Sequence, residues 1–236
     1  MNLIWQEVFL RPIFNLLIFF YNVIPPHDLG IAIILLTAVI KIILVPTSLK
    51  MAKSQKELAA LQKEINKIKE KYKNDFQKQN EELMKLYREK GINPFASCLP
   101  LLIQMPFFIA LFVVLKDIGQ NHLNFYYSFI TPPSQINTVF LGLIDLAKPD
   151  KFVLPLLAAL SQFVYSHLLA NFQQGKEQGT KTVSQQMNRQ INIIFAVMIF
   201  FLAQKFPGGL PLYWAANSVF SILLHLFVER RVLEKS

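Results

Sequence analysis

The feature that most constrains this chain is the distribution of its apolar residues. They come in blocks of roughly twenty, long enough to cross a hydrocarbon core about 30 Å thick, and not on the alternating faces of a soluble fold. Hydrophobic residues make up 53% of the 236 positions and only 17% are charged. The expected class is an all-α integral membrane protein, because a membrane barrel would show short alternating segments and none is present. A net charge of +9 fits nucleic-acid binding in a soluble chain, but in a membrane chain basic residues collect in cytoplasmic loops. The one cysteine, Cys98, excludes an intramolecular disulfide and a cysteine-based zinc site. No phosphate-binding glycine loop and no metalloprotease or serine-hydrolase motif appears, so no cofactor and no metal is expected.

Read along the chain, residues 1–26 form an amphipathic helix ended by Pro25-Pro26. Trp5, Val8, Phe9, Ile13, Leu16, Leu17 and Phe20 make one stripe, and Glu7, Arg11, Asn15 and Asn22 lie opposite. Such a helix lies in the membrane interface, with a first transmembrane helix as the alternative. The expected spans are 29–49, 96–115, 152–172, 191–206 and 210–228, with a tail at 229–236. Between the first two lies a different kind of sequence, 50–91, which holds twelve of the 24 Lys and Arg. Its apolar residues, Leu58, Leu61, Ile65, Ile68 and Tyr72, then Phe76, Leu83, Leu86 and Tyr87, draw two narrow seams. Lys73-Asn74-Asp75 separates them and Gly91 ends the second, which predicts a charged helical hairpin. In the span at 96–115, Pro100 and Pro106 leave the carbonyls of Ala96 and Leu102 without their usual donors. With five spans, the hairpin, the loop at 173–190 and the tail fall on one side with eighteen of the 24 basic residues. The positive-inside rule makes that side cytoplasmic and the N-terminus external.

One residue breaks the apolar pattern. Lys41 lies near the middle of the first span, where a charge costs about 2.5–3.5 kcal/mol on insertion scales. An ion pair fails on inventory, since no span interior contains Asp or Glu. A neutral lysine has no partner to act on. Snorkelling would have to cover about 12 Å, eight residues at 1.5 Å each, and is partly within reach. The other explanation is a hydrated cavity lined by polar groups from several spans: Thr37, Gln104, Ser161, Gln162, Tyr165, Ser166, Asn217, Ser218 and Ser221. Each alone is more often a helix–helix hydrogen bond. Together they describe a polar chamber with one fixed positive charge, which would attract an acidic or polar group entering the membrane.

Several stretches carry a family resemblance. Asn93-Pro94 is followed by Leu99-Pro100-Leu101-Leu102-Ile103-Gln104-Met105-Pro106-Phe107-Phe108, and Phe206-Pro207-Gly208-Gly209-Leu210-Pro211-Leu212-Tyr213-Trp214 comes later. With Val45-Pro46 leading into the basic hairpin, the chain resembles the YidC/Oxa membrane protein insertases over nearly its whole length. The resemblance implies five helices around a hydrophilic groove open to the cytoplasm and to lipid, closed outside, in the bacterial cytoplasmic membrane. It implies one positive groove charge in the first span, normally arginine, and the matching position is Lys41. Lysine keeps the charge but not the planar fork. Gln162 and Trp214 match other groove positions. Set against the family pattern, no large external domain or lipoprotein-type cysteine is expected, and with a tail this short no strong tail-mediated ribosome binding is expected.

The function this implies is insertion: the groove, with Lys41, Thr37, Gln104, Gln162, Trp214 and Asn217, receives polar flanks of nascent membrane proteins and the hydrophobic segment partitions into the bilayer. The hairpin would gather nascent chains or engage the ribosome, targeting machinery or the Sec translocon; a solvated hairpin without contacts is the alternative. No sequence-specific nucleic-acid binding and no enzymatic step is expected. A small-solute transporter is the other functional class, but internal repeats or paired broken helices are not visible. An intramembrane enzyme would need a nucleophile with a base, or paired carboxylates, whereas His167 and His225 have no acidic residue near them in their spans.

Overall fold

A computed structural model describes residues 3–93, 99–118, 125–174 and 183–233. Helix α1 (Leu3–Trp5), a π-helical turn (Gln6–Leu10) and α2 (Arg11–Val23) follow one another directly. The widened turn has a local cause. Pro12 has no N–H to donate, and just before it the Arg11 N–H reaches back five residues to the Gln6 carbonyl. Asp28 then starts α3 (Leu29–Ala60): its carboxylate accepts from Gly30 N at 2.7 Å and Ile31 N at 3.2 Å. A cap of this kind stabilises a helix by about 1 kcal/mol.

Helix α3 is 32 residues long, about 48 Å at 1.5 Å per residue. The first span therefore continues unbroken into the charged region instead of ending near Leu49. Lys, Ala, Gln, Glu and Leu after that point are all good helix formers, and nothing stops the helix before Leu61. There the chain bends into α4 (Gln62–Lys71) and returns as α5 (Phe76–Glu89). Asp75 caps α5 through Lys78 N at 3.0 Å, and Gly91, at φ +66°, ends the hairpin. Leu61, Ile65, Leu83 and Leu86 are buried between the two arms, with Ile68, Tyr87 and Ile92 packed against them. Phe76, expected in this seam, is 73% exposed instead. It is the first residue of α5, where the chain is still turning.

The remaining helices are α6 (Leu99–Asp117), α7 (Val153–Gln174), α8 (Val183–Ala203) and α9 (Gly209–Leu233). Helix α9 packs against both α3 and α7, α8 packs on α7, and α2 on α3. Small residues allow close approach of α7 and α8: Ala158 and Ala159 are buried with Ile199. The outward faces are apolar. Ile42 and Ile43 of α3, Leu102 of α6, Leu157 and Leu160 of α7, Ile194 and Phe201 of α8 and Leu223 of α9 are all exposed. A surface of that kind is a lipid-facing surface. By length and composition, four described helices suffice to cross a membrane: Leu3–Val23, Leu29–Ala60, Val153–Ala170 and Gly209–Phe227, with Asn192–Ala203 a shorter apolar helix. The chain is a multi-pass membrane protein. Ala96 and Cys98 lie outside the described residues.

The ends of α3 and α9 away from the hairpin are capped by the segment between α6 and α7. It contains a two-stranded antiparallel hairpin, β1 (Val139–Phe140) and β2 (Ile144–Asp145). Gly208 N donates to Lys148 O at 2.8 Å and Gly209 N to Leu146 O at 3.0 Å, which ties the turn between α8 and α9 to this segment. The polar side of α2 also meets it. Asn15, read from sequence as facing water, is buried, with its amide on Phe125 O at 2.6 Å and its carbonyl accepting from Tyr127 N at 2.7 Å. Asn22 donates to Thr131 O at 2.8 Å, and Asn137 N donates to the Tyr21 hydroxyl at 2.7 Å. Asn15 and Asn22 of the polar stripe thus hold loop backbone, while Glu7 and Arg11 pair with each other at 3.0 Å.

At Gly30 the Phe140 ring lies where a side chain would start. Gly30→Ala is expected to destabilise the protein by about 1–3 kcal/mol, read as a lower unfolding temperature in detergent. Adding Phe140→Ala should recover part of that loss in a double-mutant cycle.

Candidate functional site

The residues that stand out in the sequence are distributed over α3, α6, α7 and α9. Lys41 lies three turns into α3, and its side chain crosses to α9, where Nζ donates to Ser221 Oγ at 2.8 Å. Ser221 gives its own proton to the Asn217 carbonyl one turn earlier, at 2.7 Å. The hydroxyl therefore has only lone pairs left to offer, and it meets Lys41 purely as an acceptor. An ammonium has three donors, so two remain for other partners. Among the described residues Lys41 makes no ion pair.

Those two donors open onto a cleft. It is bounded by α3, α6, α7 and α9 and lined by Lys41, Ser48, Gln104, Tyr165, Ser221 and His225, among others. It runs from Lys41 towards Thr47, Met51 and Ala52, which is the direction of the charged hairpin. Its water-accessible space is about 90 Å³, enough for several waters when one needs about 10–15 Å³. Hydroxyl, amide and imidazole groups on its walls supply the two to four partners a bound water requires. The cleft can keep an ammonium hydrated within a lipid-facing bundle and can accept polar groups arriving from the hairpin end. Among the described residues no group of three His, Cys, Asp or Glu stands together to hold a metal ion.

The six residues singled out in the sequence do not form one cluster. Lys41 and Gln104 line the cleft, and Gln104 also donates from its amide to the Tyr213 hydroxyl, linking α6 to α9. Thr37 is buried beneath the cleft wall, its hydroxyl proton donated to the Ile33 carbonyl at 2.7 Å, and it does not line the cleft. Gln162 and Trp214 belong to a second network, between α7 and α9. The Gln162 side-chain carbonyl accepts from Trp214 Nε1 at 3.4 Å and Ser218 Oγ at 3.1 Å, and its amide donates to Ser166 at 3.2 Å. Trp214 also meets Phe108 edge-to-face, with ring centroids 5.5 Å apart. Asn217 contributes its backbone carbonyl to the Lys41–Ser221 contact, while its side-chain oxygen is buried without a hydrogen-bond partner among the described residues. Sequence reasoning gave Ser221 no priority over the other hydroxyls. Its signal is the spacing on α9: Ser221 follows Asn217 by four residues on one face, and Ser218 is rotated towards α7.

Gln162→Leu leaves Trp214 Nε1 and Ser218 Oγ without their acceptor at similar side-chain volume. An unsatisfied buried donor costs about 1–3 kcal/mol, so this variant should unfold at clearly lower temperature. Trp214→Phe keeps a ring against Phe108 and removes only the donor, so its effect should be smaller.

The sequence profile of the family described as 60Kd inner membrane protein matches residues 19–235. A protein of Fusobacterium nucleatum named Membrane protein insertase YidC is 38% identical over 205 residues, spanning 86% of this chain and 87% of that relative. One of the same name from Clostridium perfringens is 36% identical, over 87% of this chain and 82% of its own. A third, from Syntrophobacter fumaroxidans, is 35% identical over 96% of this chain, which corresponds to 38% of that longer protein.

Proposed function

We propose that this chain, which belongs to the 60Kd inner membrane protein family of YidC membrane protein insertases, is itself a membrane protein insertase that works through the Lys41 cleft. Five helices cross the membrane, α3, α6, α7, α8 and α9, and α1–α2 lies in the interface. Support for the interfacial placement comes from Asn15, Tyr21 and Asn22, which are bonded to backbone groups of Phe125, Tyr127, Thr131 and Asn137 in the loop between α6 and α7. The hairpin and the C-terminus face the cytoplasm, following the basic residues.

The physical problem is the polar flank of an incoming segment, which cannot cross dry hydrocarbon unaided. The cleft shortens that dry distance. A flank carrying carboxylate or carbonyl oxygens enters from the hairpin end and displaces water from the free donors of Lys41. The adjoining hydrophobic segment then moves into lipid along the apolar faces of the bundle, and its partitioning supplies the driving force. The protein's groups hold and release; no bond is made or broken. The hairpin is the receiving surface for nascent chains, with the ribosome, targeting machinery and Sec translocon as partners.

The observation that carries this reading is an ammonium at mid-span whose one protein partner among the described residues is a neutral hydroxyl. Its test is insertion of single-span substrates with acidic flanks in cells depleted of the endogenous insertase. Lys41→Arg should support insertion. Lys41→Ala should impair it, and Lys41→Glu should impair it more, because a carboxylate repels the acidic flank. Normal insertion by both Lys41→Ala and Lys41→Glu would rule the mechanism out.

A further inference from the structure

The loop that caps the bundle away from the charged hairpin has an unusual tip. Between β1 and β2 the chain reverses through Leu141 at φ +51° and Gly142 at φ +72°, closed by Leu143 N donating to Phe140 O at 2.9 Å. Tight turns with positive φ take Asn, Asp or Gly, because a side chain there is strained. Leucine stands at one such position, and it does not repay the strain by burial in the protein: Leu141 is 62% exposed and Leu143 is 83% exposed.

The tip is also held in a fixed place. Leu141 N donates at 2.7 Å to the Asp28 carboxylate, the group that caps the start of α3, and the Phe140 ring lies on Gly30. Behind it, Asp145 accepts from Thr138 Oγ1 at 2.8 Å and pairs with Lys148 at 3.0 Å. The Thr138 hydrogen bond, and then Lys148, hold the Asp145 carboxyl below its usual range. Leu29, next to Asp28, begins the apolar block of the first span. Two exposed leucines are therefore pinned at the level where a membrane-spanning helix leaves the hydrocarbon.

We infer that the Leu141–Leu143 turn is an interfacial anchor, with both leucine side chains seated at the headgroup–acyl boundary of the leaflet opposite the charged hairpin. The lipid surface is the occupant because the turn adjoins the lipid-facing bundle at the end of α3, and apolar side chains at that depth gain by leaving water. The anchor fixes the capping loop in height as well as position. It is independent of the insertion mechanism and of Lys41.

The test places an environment-sensitive fluorophore on Leu143→Cys in the full chain with Cys98→Ser, reconstituted in lipid nanodiscs so that both faces meet the solution. Ser134→Cys, exposed in the same loop, is the aqueous control. Position 143 is expected to show blue-shifted emission, loss of intensity with doxyl-labelled lipid and protection from iodide, with position 134 the reverse. Position 143 is exposed, so the substitution leaves the fold intact. A label at 143 that iodide quenches as well as it does at 134 places the turn in water. A label that neither quencher reaches places it against protein. Either result overturns the anchor.

Discussion

A charge in the middle of a membrane-spanning helix needs both an acceptor and water, and here each is supplied by different elements. Helix α9 provides the acceptor: Ser221, with its proton already committed to the Asn217 carbonyl. The walls of the cleft provide room for water. Both need α3 and α9 in register, which depends on contacts far from Lys41. Gly209 passes close to Ile33 and Leu115, and its neighbour Gly208 is bonded to the loop ahead of α7. The position of the charge is thus a property of the whole bundle.

The two ends of the bundle differ accordingly. Away from the hairpin, backbone amides and carbonyls of the capping segment are satisfied by Asn15, Asn22, Asp28 and the Gly208–Gly209 turn. Towards the hairpin, hydroxyls, an imidazole and the ammonium line open space. The open polar space beside Lys41 lies on the hairpin side, and in a bilayer, where an unsatisfied polar group costs several kcal/mol, its position gives the structure a direction.

Much of this was readable from residues alone, and what was not has physical reasons. Apolar block length marked the membrane-crossing class, and the seam of Leu61, Ile65, Leu83 and Leu86 marked the hairpin arms, because both patterns are local. The fate of Asn15 was not local. A polar stripe on a helix reads as water-facing, and only the fold brings the backbone of residues 125–127 to it. Thr37 looked like a groove residue by depth, but a threonine in a helix can bond its own preceding turn, and this one does. Ser221 was one hydroxyl among many until Lys41 was seen to cross to α9. Spacing along one helix cannot name a partner 180 residues away.

The continuity of α3 has a mechanical consequence. A helix is stiff along its axis, and this one joins the Lys41 segment to the charged hairpin without a loop. Its soft point is Pro46, where one backbone hydrogen bond is missing, one turn from Lys41 towards the hairpin. Pro46 lies within the cleft wall, with Lys41 and Leu44 before it and Thr47, Ser48, Met51 and Ala52 after it, so a bend at this point changes the shape of the cleft.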